Sequence, residues 1–183
     1  NSPYEAYLAL QDKSFDPKQW TSWVNSNEAR EIPGAVDFIK YAQSKQVKVF
    51  YVTNRTGEEE TGTRKNLEKL GFPIDSSIDT VLTSREKPEW TSAKTIRRAH
   101  VAKDYRILLN LGDNFSDFTE DYKGTEEERV KVYEANKDRW GREWIMIANP
   151  AYGSFESAPF KHNFSAPDAE KRAARSEEHT SEL

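Results

Sequence analysis

Apolar positions along the chain switch between helical and extended spacing, and the switches mark the elements. Ala35, Phe38, Ile39 and Ala42 recur at i, i+3, i+4 and i+7. This spacing predicts a helix, opened by Pro33-Gly34, whose apolar stripe packs on a sheet. Val47 to Val52 is rich in β-branched and aromatic residues and predicts a strand. Thr61 to Leu70 predicts a helix with Leu67 and Leu70 inward. Gly71 fits its left-handed C-cap, Phe72 closes a hydrophobic contact and Pro73 blocks continuation. Asp79 to Thr83 predicts a short strand. A helix capped by Thr91 or Ser92 follows, with Ile96 and Ala99 inward and Lys94 in its first turn. Ile107, Leu108, Leu109 and Leu111 form a nearly continuous apolar run, which predicts a strand buried on both faces. Thr125-x-x-Glu128 is a capping box that opens a helix running to Arg139. Gly141 ends that helix, and Trp144 to Ala148 predicts a last strand.

The first 31 residues hold many aromatics: Tyr4, Tyr7, Phe15, Trp20 and Trp23. Asp16-Pro17 reads as a helix start, which puts Trp20 and Trp23 on one face. Helix and strand therefore alternate along the chain, which predicts an α/β three-layer sandwich with a mainly parallel sheet. Residues 1–33 form a small helical cap region of a domain spanning 1–153. Residues 154–183 lose periodicity and are expected to be an irregular tail. Its last nine residues, 175–183, resemble the translation of a short-read sequencing adaptor, an artefact set aside from fold reasoning.

Composition narrows the function classes. With 183 residues the chain fits one domain, and 36% hydrophobic with 32% charged residues reads as a polar globular protein. A net charge of −4 gives no electrostatic case for a nucleic-acid polymer or an anionic membrane. No apolar run approaches a transmembrane span. The absence of Cys removes disulfide, zinc-thiolate and cysteine-nucleophile chemistry. The chain opens Asn1-Ser2-Pro3-Tyr4, and its single methionine is Met146. The expectation is a processed or truncated chain, with any signal peptide or lipid-attachment residue upstream.

Candidate chemistry gathers where strands end. Gly112 breaks the predicted central strand, and Asp113 and Asp117 follow. Ligands of open α/β sheets bind beyond the carboxyl ends of strands. Two carboxylates there suit Mg²⁺ and a phosphate, and they equally suit a polar turn. Thr53-Asn54-Arg55 follows another strand, as an oxyanion site or as an ordinary polar loop. Lys94 opposes the positive end of its helix dipole, a penalty offset by a phosphate or carboxylate, or tolerated at an exposed surface. Trp20 is either core or a stacking group, and Tyr152 stands at the mouth of the site if the last strand is parallel. His100 and His162 have no partner pattern. No Gly-rich phosphate loop of either standard type is present.

Thr53 after one strand, Lys94 at a helix start and Gly112-Asp-Asn-x-x-Asp117 after another strand, in this order, resemble motifs two to four of the haloacid-dehalogenase superfamily. More closely, the chain resembles the class C nonspecific acid phosphatases, which include bacterial outer-membrane lipoprotein 5′-nucleotidases. The resemblance rests on Asn1-Ser-Pro-Tyr4, Phe15-Asp-Pro-Lys-Gln-Trp20, Ile32-Pro-Gly-Ala-Val36, Thr53-Asn-Arg55, Gly112 to Phe118 and Asn149-Pro-Ala-Tyr-Gly153. It runs from Asn1 to the neighbourhood of Phe155. It implies a broad phosphomonoesterase that takes nucleoside 5′-monophosphates through an aspartyl-phosphate, with Mg²⁺ as cofactor. Asp113 would bind the metal directly, and Asp117 would hold a metal-bound water or Lys94. Thr53 and Lys94 would bind phosphoryl oxygens with help from Asn54, and Trp20 and Tyr152 would sandwich a ring of the substrate.

The family's first motif, Asp-x-Asp-x-Thr, carries the nucleophile and the acid/base, and it is absent from these 183 residues. The expectation is a domain without its first strand, catalytically inactive, with exposed strand edges. The resemblance also implies a secreted or periplasmic protein, anchored to the outer membrane by an upstream lipid, with a second copy of itself as partner. Two alternatives stay open. One is another superfamily enzyme acting on sugar phosphates or as a dehalogenase. The other is a non-catalytic relative such as the plant vegetative storage proteins.

Overall fold

Capping chemistry sets the helix ends in the computed structural model, which describes residues 2–11, 13, 15–149 and 152–181 without the side chains of Ser2, Ala9 and 175–181. Asn1 of the opening motif, Pro150 and Ala151 of the Asn149–Gly153 motif and the last two residues lie outside the described residues. The chain divides into two compact units, Asn1–Arg98 and Ala99–Leu183. Its strands are parallel and its class is mixed α/β, as the alternation predicts.

The first unit starts with two helices in the expected cap region, α1 (Ser2–Leu10) and α2 (Pro17–Ser26). Asp16 caps α2, its carboxylate accepting from the amides of Lys18 and Gln19 at 2.8 and 2.9 Å. The Tyr4 ring meets Trp20 edge-on at 5.3 Å and stacks near Trp23 at 6.4 Å, which ties α1 to α2. Next come α3 (Ala35–Ser44), β1 (Tyr51–Thr56), α4 (Gly57–Leu70) and β2 (Val81–Ser84). Gly71 is left-handed at φ 88°, and the Phe72 amide donates to Leu67 O at 3.0 Å, the C-cap read from sequence. Helix α4 starts earlier than its apolar pattern suggests. Thr56 and Glu59 form a capping box there, with the Thr56 amide donating to Glu59 Oε2 at 2.8 Å. α4 approaches α2 closely at Gly62, where an added Cβ would lie 2.4 Å from Asn25 Oδ1 and 3.0 Å from Asn25 Cα.

β1 and β2 pair in parallel, with Tyr51 opposite Val81, Val52 opposite Leu82 and Thr56 opposite Ser84. Four steps along β1 match two along β2, so Thr53, Asn54 and Arg55 bow out of the ladder. β2 is buried along its whole length. The strand expected at Val47–Val52 is thus displaced toward its C-terminus, because the ladder begins only where the Tyr51 amide donates to Thr80 O at 2.7 Å. The apolar stripe of α3 does not pack as expected. None of its residues is buried, since a two-stranded ladder offers little surface to cover it.

α5 (Lys94–Val101) spans the boundary between the units. Its expected inner face is corrected: Ile96 is 41% exposed and Ala99 is exposed, whereas Arg97 is fully buried. Hydrophobicity alone misassigns the face because a buried guanidinium takes the inward position.

The second unit pairs β3 (Asn110–Gly112) in parallel with β4 (Trp144–Met146), Asn110 opposite Trp144 and Gly112 opposite Met146. A short 3₁₀ turn (Phe115–Asp117), α6 (Glu126–Ala135), α7 (Ser154–Ser157) and α8 (Asp168–Ser181) complete it. Its core is aromatic: Trp140 lies edge-on to Phe118 at 4.9 Å and to Trp144 at 5.2 Å. The Thr125–Glu128 capping box is present at the start of α6, but the helix stops at Ala135 and turns carry the chain to Arg139. The strand expected from Ile107 is also corrected. Ile107 and Leu108 precede β3 at 38% and 49% exposure, and burial on both faces needs sheet neighbours that, among the described residues, β3 has on one side alone. The expected irregular tail is partly helical. In α8, Asp168 pairs with Lys171 at 2.8 Å and the Ala-Glu-Lys-Arg-Ala-Ala run is rich in helix formers.

His162, which the sequence left without a role, ties this tail to the loop before α6. Its Nδ1 lies 2.7 Å from Ser157 Oγ, and its Nε2 accepts from the Gly124 amide at 3.4 Å. Burial and then the positive charges of Arg129 and Lys123 hold its pKa below the ordinary 6.5. The fold therefore prefers the neutral ring. That contribution is complete above the unfolded value and is lost as pH falls below about 6.5 toward the lower folded pKa.

Two outcomes are expected from thermal melts followed by circular dichroism. Gly62→Ala lowers the melting temperature, by a destabilisation of about 1–3 kcal/mol from overpacking against Asn25; an unchanged melt would show that α2 and α4 yield there without cost. His162→Gln, which still accepts a hydrogen bond but cannot be protonated, flattens the loss of stability between pH 7.5 and 5.5. Parallel wild-type and variant curves over that range would remove the titration assigned to His162.

Candidate functional site

Two strand tips carry the residues singled out from sequence. In the first unit the bowed segment of β1 exposes Asn54 and half-buries Thr53. Thr53 Oγ1 accepts the Arg55 amide at 3.2 Å, which leaves the hydroxyl proton available to a ligand. Arg55 reaches back, donating to Thr63 Oγ1 at 3.0 Å and lying 5.6 Å from the Trp20 ring. Trp20 is half-buried beside Tyr4 and Phe15, so one indole belongs both to the packing of the cap region and to the surroundings of the β1 tip. Ser84, at the end of β2, donates to Asn54 O at 2.9 Å.

Lys94 is the first residue of α5, and Arg97 follows one turn later on the same face. Arg97 is 0% exposed. It donates to Thr53 O, to Asn54 Oδ1 at 2.5 Å, to Leu82 O at 3.3 Å and to Thr91 O at 3.2 Å. Arg97 thereby joins the start of the helix that carries Lys94 to the segment that carries Thr53 and Asn54. No sequence pattern singles it out. In an Arg-Arg pair on a charged helix, either member reads as solvated until the fold buries one. A further acid closes the β2 tip: Glu86 accepts from the Thr83 amide at 3.0 Å, and burial holds its carboxyl above the usual range against that hydrogen bond.

In the second unit the β3 tip is built around two carboxylates. Asp117 Oδ2 accepts from the amides of Asp113 and Asn114, both at 3.0 Å. This clamp requires glycine at 112, where a Cβ would meet Asp117 Cβ at 2.5 Å. Asp117 therefore shapes the loop. Asp113 is half-buried, and its Oδ2 accepts from Asn149 Nδ2 at 2.9 Å. Asn149 Oδ1 in turn accepts the Tyr152 amide at 3.3 Å, so Tyr152 lies one turn from the carboxylate's orienting partner. Asn114 Oδ1 accepts from Ser154 Oγ at 2.6 Å, and Arg129 donates to that hydroxyl at 3.1 Å. Asn149 belongs to a motif quoted above without a role of its own, and Ser154 and Arg129 carry no sequence pattern that points to Asp113. A cleft of 500 Å³, with Asp113, Phe115, Arg129, Tyr133, Met146 and Phe155 among its lining, opens beside this carboxylate. That volume is within the range of small-molecule sites.

Thus Trp20, Thr53, Asn54 and Lys94 fall in the first unit, and Asp113, Asp117 and Tyr152 in the second. The first group presents hydroxyl, amide and cationic donors suited to an oxyanion. The second presents carboxylate oxygens suited to a hard cation.

The family model for the HAD superfamily, subfamily IIIB (Acid phosphatase), matches residues 1–155. The chain is similar to the solved class C acid phosphatase of Bacillus anthracis, with a TM-score of 0.85 and 35% identity over 97% of this chain and 72% of that one. It is likewise similar to the class C acid phosphatase of Bacillus anthracis with tungstate bound, with a TM-score of 0.86 and 35% identity over 97% of this chain and 73% of that one. Among curated proteins it is 25% identical over 125 residues to a stem 31 kDa glycoprotein of Glycine max, covering 68% of this chain and 49% of that protein. A stem 28 kDa glycoprotein of Glycine max is 23% identical over 128 residues, covering 68% of this chain and 50% of that protein. The chain spans about half the length of the curated relatives it matches. With the family model covering most of its residues, the chain belongs to the acid phosphatases of the HAD superfamily, subfamily IIIB.

Proposed function

We propose that the protein is a magnesium-dependent acid phosphatase that hydrolyses phosphomonoesters, nucleoside 5′-monophosphates among them, through an aspartyl-phosphate. The observation that carries this reading is the Asp113 carboxylate, oriented by Asn149 at 2.9 Å in a loop that Asp117 clamps. Among the described residues no three His, Cys, Asp or Glu side chains gather into a metal cage. Mg²⁺ fits so sparse a donor set, because one or two carboxylates usually hold it while water and substrate phosphate fill the other positions. In this reading Asp113 is the direct ligand and Asp117 contributes through a water. When bound, the cation supplies charge neutralisation at a phosphoryl oxygen.

The remaining residues act without the metal. Thr53 donates its hydroxyl proton and Asn54 its amide protons to phosphoryl oxygens, and Lys94 adds a positive charge. Trp20 and Tyr152 supply ring faces on which a base can stack, and stacking tolerates varied rings. Tungstate, the anion in the second Bacillus anthracis structure, is a tetrahedral oxyanion like phosphate, which supports a site of this kind. The nucleophile is the part these 183 residues do not contain, since no Asp-x-Asp-x-Thr occurs in them. In this reading the protein lies on the secreted or periplasmic side and is attached to the membrane through a lipid.

The 23–25% identity to stem glycoproteins of Glycine max supports a second reading: a non-catalytic relative with a retained oxyanion site. One experiment separates the two. Residues 1–183 are expected to bind inorganic phosphate in the presence of Mg²⁺, measured by calorimetry, without hydrolysing a nucleoside monophosphate. Joined to an N-terminal segment carrying Asp-x-Asp-x-Thr, the chain is expected to gain Mg²⁺-dependent hydrolysis, and Asp113→Ala is expected to abolish it. Hydrolysis by residues 1–183 alone, or normal turnover by the Asp113→Ala variant, would remove the assignments made here. Continued inactivity of the joined chain would favour the non-catalytic reading.

A further inference from the structure

We propose that Arg97 is a positioning residue that turns the Asn54 amide into a fixed hydrogen-bond donor and so tunes the β1 tip for an oxyanion. The inference rests on the phosphate reading above and adds to it the device that selects the ligand's charge. A guanidinium has five donors and no acceptor. The atom of Asn54 that faces it must therefore be the carbonyl oxygen, and the structure has Oδ1 there at 2.5 Å. Amide orientation is ordinarily ambiguous; here the chemistry of the neighbour decides it. With Oδ1 committed, the group that Asn54 has left for a ligand is Nδ2, a donor of two protons. Asn54 is also exposed, so those protons are accessible.

The donor is held from several sides. Ser84 donates to Asn54 O at 2.9 Å, and Arg97 donates to Thr53 O, the carbonyl of the preceding residue. The same guanidinium reaches Leu82 O at 3.3 Å in β2 and Thr91 O at 3.2 Å in the turn before α5. One planar cation thus joins both strands of the ladder to the approach to α5, and it does so at full burial. A surface asparagine normally samples several rotamers, whereas this one is anchored at main chain and side chain. Holding a donor in place before the ligand arrives removes an ordering cost from binding. The cation behind Oδ1 also polarises the amide, which strengthens Nδ2–H as a donor. Lysine could retain the charge at 97, but it lacks the planar fork needed to serve these acceptors together.

The test uses residues 1–183 and inorganic phosphate with Mg²⁺, by calorimetry, in a cycle of Arg97→Lys and Asn54→Ala. Arg97→Lys is expected to weaken phosphate binding about tenfold in the native background, the scale of one hydrogen bond to a charged group. In the Asn54→Ala background its effect is expected to be clearly smaller. Equal effects in both backgrounds would make Arg97 a purely structural residue and overturn the proposal. A second arm does not depend on Arg97→Lys folding. Asn54→Asp keeps an acceptor for Arg97 and removes the donor, so phosphate affinity is expected to fall; affinity at the wild-type level would overturn the proposal. In nitrogen-edited NMR spectra the Asn54 side-chain amide is expected to give two well-separated proton resonances that move on adding phosphate. Resonances at the positions of a freely rotating surface asparagine would overturn the fixed donor even if phosphate binds. A wild-type chain that binds no phosphate, with Asn54 nevertheless fixed, would overturn the phosphate reading and, with it, the ligand role given to Arg97.

Discussion

A backbone amide or carbonyl that leaves a β-ladder still needs a partner. In this protein charged side chains provide it beside three strands. Arg97 takes the carbonyl of Thr53 where β1 bows out of the ladder, and that of Leu82 in β2. Glu86 takes the Thr83 amide at the end of β2. Asp117 takes the amides of Asp113 and Asn114 beyond β3. Each group supports the backbone while standing next to a candidate site residue. The charges that stabilise the loops therefore also set the local field around Thr53, Asn54 and Asp113. A substitution at any of them would disturb the fold and the site together, so a single measurement of activity cannot separate the two roles.

What could be read from sequence follows from how far each determinant reaches along the chain. Asp16 with Pro17, Thr125 with Glu128, and Gly71 with Phe72 act within a few residues, and each was legible and present. The parallel direction of the strands followed from helix–strand alternation. Side-chain burial was less legible, because it depends on neighbours distant in sequence. The α3 stripe and the Ile107–Leu108 run are apolar enough for a core, yet each strand ladder here has two strands and leaves them open. Arg97 is the reverse case: its charge reads as surface, and its burial is explained by carbonyls that lie up to 44 residues away.

The candidate residues were found for a related reason. Thr53, Asp113 and Asp117 sit directly after apolar runs, so their position at strand tips can be read along the chain. The residues that orient Asp113 and Asn54 come from elsewhere in the chain: Asn149 sits in a quoted motif that does not reveal its partner, and Arg97 carries no local signal. In the sequence Gly112 reads as a strand breaker. Its more specific task is to admit the Asp117 side chain at a distance no Cβ could tolerate. The local signal for the clamp is a glycine with an acidic residue five positions on, which names its members but not its direction.

Binding and bond cleavage are separable demands in phosphoryl transfer, because positioning and charge stabilisation contribute most of the catalysis and the nucleophile is one further group. The present residues divide along that line. Hydroxyl, amide and ammonium donors occupy the β1 tip and the start of α5, and carboxylates occupy the β3 tip, while no Asp-x-Asp pair is included. If the donors were arranged only to support a loop, Asn54 could present either end of its amide to solvent. Its orientation is instead dictated by a buried cation, and the exposed end is the one a phosphate needs. In the reading proposed above, that directed donor is what a ligand site requires and a well-capped turn does not.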